Sequence, residues 1–188
     1  MRNWTIGGRL SAAAISILAL GTLAVGVTPA SAAMSDGYVR GYDTYVGDWG
    51  DEGEFGHGVY WYPYNSTNAV CLWQKILWAE GAEESDHSTF DQADIDGHFG
   101  ANTQYATETL QARWRLDHDG VVGPLTFGRA DDNLRYVSGS DDRGEVLNLT
   151  YRGRDWSFSA RRDSSGIYSF YDGNGTRRNA GYDYNSCD

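Results

Sequence analysis

Asp96-Gly97-His98-Phe99-Gly100-Ala101-Asn102-Thr103 and Asp119-Gly120-Val121-Val122-Gly123-Pro124-Leu125-Thr126 share the pattern D-G-x-apolar-G-x-x-T. Each Asp-Gly pair suits a turn with the glycine at positive φ. The apolar residue then plugs into a core, and the second glycine lets the chain enter a helix without a Cβ clash. The repeat predicts two helices entered in the same way. One runs from about Ala101 to Arg115, with Ala106, Leu110 and Trp114 at i, i+4 and i+8. The other begins at Pro124, whose missing N–H costs nothing in a first turn, and carries Leu125, Phe127 and Ala130 toward Leu134. Upstream, Asn65-Ser66-Thr67-Asn68 offers N-caps to a further helix bearing Val70, Leu72, Trp73, Ile76 and Leu77, with Gly81 as its stop. A polar insert, Ala82 to Ala93, separates this helix from the first repeat.

Beyond residue 134 the pattern changes to short apolar and aromatic runs. Glu145–Tyr151, Asp155–Ala160 and Ile167–Tyr171 read as strands, with Arg152-Gly153-Arg154 and Asp163-Ser164-Ser165-Gly166 as the turns between them. The expected fold class is α+β: a small three-helix bundle over 65–134 followed by a three-stranded antiparallel β-meander over 135–188. Trp156 and Phe158 are expected on one face of that meander. Residues 33–64 are a mixture of Gly, Tyr and Asp without a sustained period. They are expected to form a flexible arm, docked in part through Trp49, Phe55 and Trp61, or else an aromatic surface for sugars.

Residues 1–32 read as a signal peptide. Arg2 and Arg9 precede an apolar stretch from Leu10 to Val27, and Ala30-Ser31-Ala32 supplies the A-x-A cleavage pattern. The chain after cleavage is therefore expected outside the cytoplasm, secreted or held at the cell wall, with no membrane segment. In that oxidising setting Cys71 and Cys187, the two cysteines, are expected to pair. The competing readings are two free thiols or a catalytic cysteine. The net charge is −11 over 188 residues, with 26 Asp and Glu against 15 Lys and Arg. That balance argues against a nucleic-acid partner, because phosphate binding needs a basic face. The acidic excess lies before residue 135, and the C-terminal stretch is balanced.

Val70-x-x-Trp73-Gln74-x-x-Leu77-x-x-x-Gly81, the two D-G blocks with Thr103, Ala106, Thr126 and Phe127, and Leu110-Gln111 with Leu116 resemble the peptidoglycan-binding-like domain family. This is a three-helix module found on bacterial cell-wall enzymes, and the resemblance covers residues 65–134. The chain departs from the family in the length of its 82–93 insert, and in Trp73 and Leu110 where Leu and Phe are commoner. The resemblance implies non-catalytic, non-covalent attachment to cell-wall glycan or stem peptide. The family motif marks core and turn positions, so ligand-binding candidates come from chemistry alone: Trp78, Tyr105, Trp114 and Phe127 as aromatic faces, and Asp96 and Asn102 as polar groups.

Arg152, Arg154, Arg161, Arg162, Arg177 and Arg178 form a basic set. It reads either as a solvated face paired with nearby acids or as a patch for stem-peptide carboxylates. No H-E-x-x-H or G-x-S-x-G is present. His57, His87, His98 and His118 show no metal spacing, and the Asp-x-Asp-Gly segments lack the acidic anchors of a calcium loop. No catalytic residue, cofactor or metal is expected. The alternatives are a small peptidoglycan hydrolase with its site between helices and sheet, and a secreted inhibitor or protein-binding module that uses the helices as scaffold.

Overall fold

The computed structural model describes residues 37–56 and 65–187. The expected signal peptide over residues 1–32, His57 and Trp61 lie outside the described residues. Two sheets are present. Strands β1 (Phe55–Gly56) and β2 (Val121–Val122) form a short antiparallel pair. Strands β3 (Leu134–Gly139), β4 (Leu147–Arg152), β5 (Ser157–Arg162), β6 (Tyr168–Tyr171) and β7 (Arg177–Asn179) form one antiparallel sheet in sequence order. The expected three-stranded meander is thus corrected to five strands plus the small pair. The two added strands sit at the sheet's edges and carry little alternation. In β3 only Leu134 is buried and a bulge follows Tyr136, while β7 holds Arg177, Arg178 and Asn179.

Three helices accompany the sheet: α1 (Asn68–Glu80), α2 (Ala101–Trp114) and α3 (Pro124–Asp131). The expected three-helix bundle is not clearly formed. Helix α1 packs on α2 and on β4, whereas α3 lies chiefly against β2. The reason is burial. Every residue of α1 except Trp78 is buried, so it serves as a central element instead of one amphipathic member of three. Thr67 caps its start, Oγ1 accepting from the Val70 amide at 3.2 Å. Gly81, at φ +55°, closes it: its amide donates to the Trp78 carbonyl, and Ala82 donates to that of Leu77.

The inner face of the large sheet contributes Leu147, Leu149, Tyr151, Phe158, Ala160, Tyr168 and Phe170 to one continuous core. Residues 37–56 pack into that core, with Val39, Trp49 and Phe55 fully buried. Trp49 meets Tyr168, Phe127 and Tyr151 at ring-centre distances of 5.3, 6.0 and 6.4 Å. Backbone bonds from Val39 to Ala180 and from Tyr168 to Val39 stitch the same segment to the C-terminal strands. The disulfide expected from the cysteine count is present. Cys71 in α1 is bonded to Cys187 across 116 residues, and a closed loop of that size stabilises by roughly 4–5 kcal/mol in the chain-entropy account.

Candidate functional site

The two D-G loops that organise the helices are built on the same plan around a buried glutamine. In the first, Gln74 Nε2 donates to Asp96 Oδ1 at 2.8 Å, to the His98 carbonyl at 3.0 Å and to Thr103 Oγ1 at 3.1 Å. Its Oε1 accepts from the Gly97 amide at 2.7 Å. In the second, Gln111 Nε2 reaches Asp119 Oδ1, the Val121 carbonyl and Thr126 Oγ1 at 3.1, 2.8 and 3.1 Å, and Oε1 accepts from Gly120 at 3.0 Å. Gly97 and Gly120 share φ near +74° and +72°. These glutamines satisfy loop amides and carbonyls that the core would otherwise leave unpaired, so both loops serve the fold.

The six sequence-predicted ligand residues lie apart. Asp96 belongs to the Gln74 node and also accepts from the His98 amide at 2.8 Å. Asn102 Nδ2 donates to Glu84 in the insert. Close by, burial pushes Asp94 up to about 6, and the charge of Glu84 adds to the shift. Phe127 is wholly buried among Trp49, Phe55 and Trp73 and presents no surface. Trp114 is half-buried, edge-on to Trp73 and covered by the Arg129 guanidinium 5.0 Å from its ring centre. Tyr105 is half-buried on α2. Trp78 differs from the rest. It stacks on Trp156 at 5.8 Å with the rings 4° from parallel, and the Lys75 ammonium lies 4.3 Å from its ring centre.

That stack is fixed by the way the β4–β5 turn docks on the end of α1. The Ala79 carbonyl accepts from the amides of Asp155 (3.0 Å) and Trp156 (2.9 Å). Gly153 allows this approach, since a Cβ there would stand 2.2 Å from the Ala79 oxygen. Arg154 and Arg113 both donate to the Gly81 carbonyl, at 3.1 and 3.3 Å, and Arg113 also pairs with Glu80 at 3.0 Å. Two cations thus sit at the negative end of the α1 dipole. Trp156 remains 58% exposed, one of the most open large apolar side chains described.

Beside this ledge is a cleft of about 300 Å³ walled by the 82–93 insert, α2 and Arg154, with Glu83, His87, Ser88, Thr109 and Arg113 on its surface. The hydrogen bond that the His87 ring donates to Glu83 raises the His87 pKa. Arg154 is matched by Asp155 at 2.8 Å, which lowers the carboxyl and raises the guanidinium. From the sequence, Trp156 is expected on a sheet face and Arg154 in a basic set. The signal that joins them to Trp78 is the turn glycine, whose role appears only when α1 is in place.

A second group of polar side chains lies under residues 40–51. Asp48 bonds Arg162 at 2.7 Å and the Tyr168 hydroxyl at 2.6 Å, and burial pushes it up to about 6 against both of those partners. Glu52 accepts from Tyr182 and from the Arg40 amide, each at 2.7 Å, and burial raises it to about 8. Asp131 accepts from the Gly47 amide and is raised to about 7, again by burial. Each carboxylate ties residues 37–56 to the body, and among the described residues no three His, Cys, Asp or Glu side chains are grouped to hold a metal. The arrangement is that of a clasp.

No family model matches the chain, and neither a curated protein nor a solved structure matches it.

Proposed function

We propose that this protein is a secreted, non-catalytic module that attaches to peptidoglycan, and that it does so through the end of α1. The observation that carries the reading is Trp156. Its indole is backed by Trp78 on one side and open on the other, beside the cleft bearing Arg113 and Arg154. A rigid aromatic face takes the apolar face of a sugar ring, and convergent polar groups set its orientation. The likeness of residues 65–134 to the peptidoglycan-binding-like family supports the same reading.

The test is co-sedimentation of the purified protein with peptidoglycan while turbidity is followed. The protein pellets without clearing the suspension, and Trp156→Ala weakens pelleting about tenfold, equivalent to roughly 1.4 kcal/mol. Clearing of the suspension would replace this reading with a hydrolase. Protein that stays in the supernatant would replace it with the protein-binding alternative.

A further inference from the structure

Lys75 is the chain's single lysine, and it lies on α1 one turn before Trp78. Only 5% of the residue is exposed, and among the described residues no carboxylate stands within ion-pair distance of its ammonium. Burial lowers the Lys75 pKa, and the charge of Asp172 opposes that shift. The Asp172 carboxylate is itself engaged elsewhere, accepting from the Asn174 and Thr176 amides at 3.0 and 2.8 Å and from Arg178 at 2.7 Å. What meets the Lys75 ammonium is the Asp172 carbonyl, at 3.4 Å, and the Trp78 ring, 4.3 Å away at its centre. A buried cation needs such compensation, and an indole face supplies it electrostatically.

We propose that Lys75 is the positioning residue of the ledge: its cation holds Trp78 parallel to Trp156 and so keeps the outer indole presented to a ligand. What the ledge takes up rests on the wall-binding reading; how the ledge is held does not.

The parallel stack is the feature that needs a cause. Most aromatic pairs of the described residues meet edge-on, as Trp73 does with Trp114 and Phe127 at 76° and 68°. Two other face-to-face pairs, Trp49–Tyr151 and Tyr151–Phe158, are buried, so neighbouring side chains enclose them. Trp78 is half-buried and Trp156 largely exposed, so no such enclosure selects their 4° arrangement. Edge-on and offset-stacked rings are both favoured, but stacking brings two negative faces toward each other. A cation over one ring draws its π density away, which eases that contact and tilts the choice toward the stack. The turn docked at Ala79 sets where Trp156 sits, and Lys75 sets which way Trp78 faces.

Parallel indoles in contact couple their excited states, so the stack can be read with no ligand present. The wild-type protein gives a split circular-dichroism band that Trp156→Phe removes. Lys75→Met, which keeps most of the stem and drops the charge, loses most of that band and weakens peptidoglycan pelleting about fivefold. Lys75→Gln, which keeps a donor for the Asp172 carbonyl without a charge, gives the same loss and serves where the apolar variant fails to fold. Lys75→Arg keeps a cation and retains both signals. Melting curves establish that each variant is folded. The proposal is overturned by a band unchanged in folded Lys75→Met or Lys75→Gln, by an equal loss in Lys75→Arg, or by a wild type without the band. A side chain that only fills space gives one of those patterns. Because the band is recorded without peptidoglycan, a wild type that shows it but stays in the supernatant refutes the wall-binding reading alone. A pelleting wild type whose band ignores the Lys75 substitutions refutes this inference alone.

Discussion

Gln74 shows how a single side chain can hold a loop in place. Its amide meets five loop partners, since the Asp96 amide also donates to Oε1 at 3.1 Å, and all of this takes place at a fully buried position. Truncation to alanine leaves the Gly97 amide without its acceptor, at about 1–3 kcal/mol when water cannot reach it, while the Asp96 amide keeps the Asp94 carbonyl at 3.1 Å and the Thr103 hydroxyl keeps the His98 carbonyl at 3.4 Å. Gln74→Ala and Gln111→Ala should therefore each lose about 2 kcal/mol in urea unfolding, since each strands one buried loop amide. Gln104→Ala, which gives up one bond to Glu108 on the same helix surface, should stay within about 0.5 kcal/mol of wild type. Equal losses for Gln74 and Gln104 would disprove the account. The loops themselves were legible in the sequence because Asp, Gly and Thr recur at fixed offsets. Their common partner was not, since Gln74 precedes its aspartate by 22 residues and Gln111 precedes its own by 8.

At the scale of elements, the helices were legible and two of the large sheet's five strands were not, for one physical reason. Helical spacing and caps are local, so Thr67, Gly81 and Pro124 mark α1 and α3 directly. Edge strands bury little and need no alternation, so β3 and β7 carried no readable period, and they exist because β4 and β6 offer them partners. The candidate site has the same character. Trp78 was visible as an aromatic at the end of a helix, but its ledge depends on a turn 75 residues further on in the chain, which docks at Ala79. This placement is testable through Gly153. In Gly153→Ala the new methyl would stand 2.2 Å from the Ala79 oxygen and 2.4 Å from its carbon, so the turn must lift. Overpacking of this kind costs about 1–3 kcal/mol. The expected result is a lowered Tm together with a shift in tryptophan fluorescence and a loss of peptidoglycan pelleting comparable to that of Trp156→Ala. A variant that lost stability but pelleted normally would separate the turn from the site.

For the whole molecule, the clasp over residues 37–56 sets how stability depends on pH. Asp48, Glu52 and Asp131 are raised by burial to about 6, 8 and 7, above the ordinary carboxylate values of 3.8 and 4.5. A carboxyl whose folded pKa lies above its unfolded pKa keeps its proton in the fold while the unfolded chain gives it up. The stability it contributes is complete below the unfolded value, and is lost as pH climbs through the folded value. The three groups act in the same direction, so stability falls between about pH 4 and pH 8, at up to about 1.4 kcal/mol per pH unit for each group titrating. The ordinary acid weakening of paired carboxylates runs the other way, and here only the exposed or well-matched acids, such as Asp155 and Asp172, follow it. The urea midpoint of the wild type should therefore be higher at pH 5 than at pH 8. Asp131→Asn retains an acceptor for the Gly47 amide but cannot ionise, so it should flatten the fall between pH 5 and 8 while changing little at pH 5. Limited proteolysis offers a local readout of the same effect. If ionisation loosens the clasp, cleavage within residues 37–56 should speed up toward pH 8 before cleavage elsewhere does, and Asp131→Asn should delay it. A midpoint that rises from pH 5 to pH 8 would mean that the partners of these carboxylates outweigh their burial.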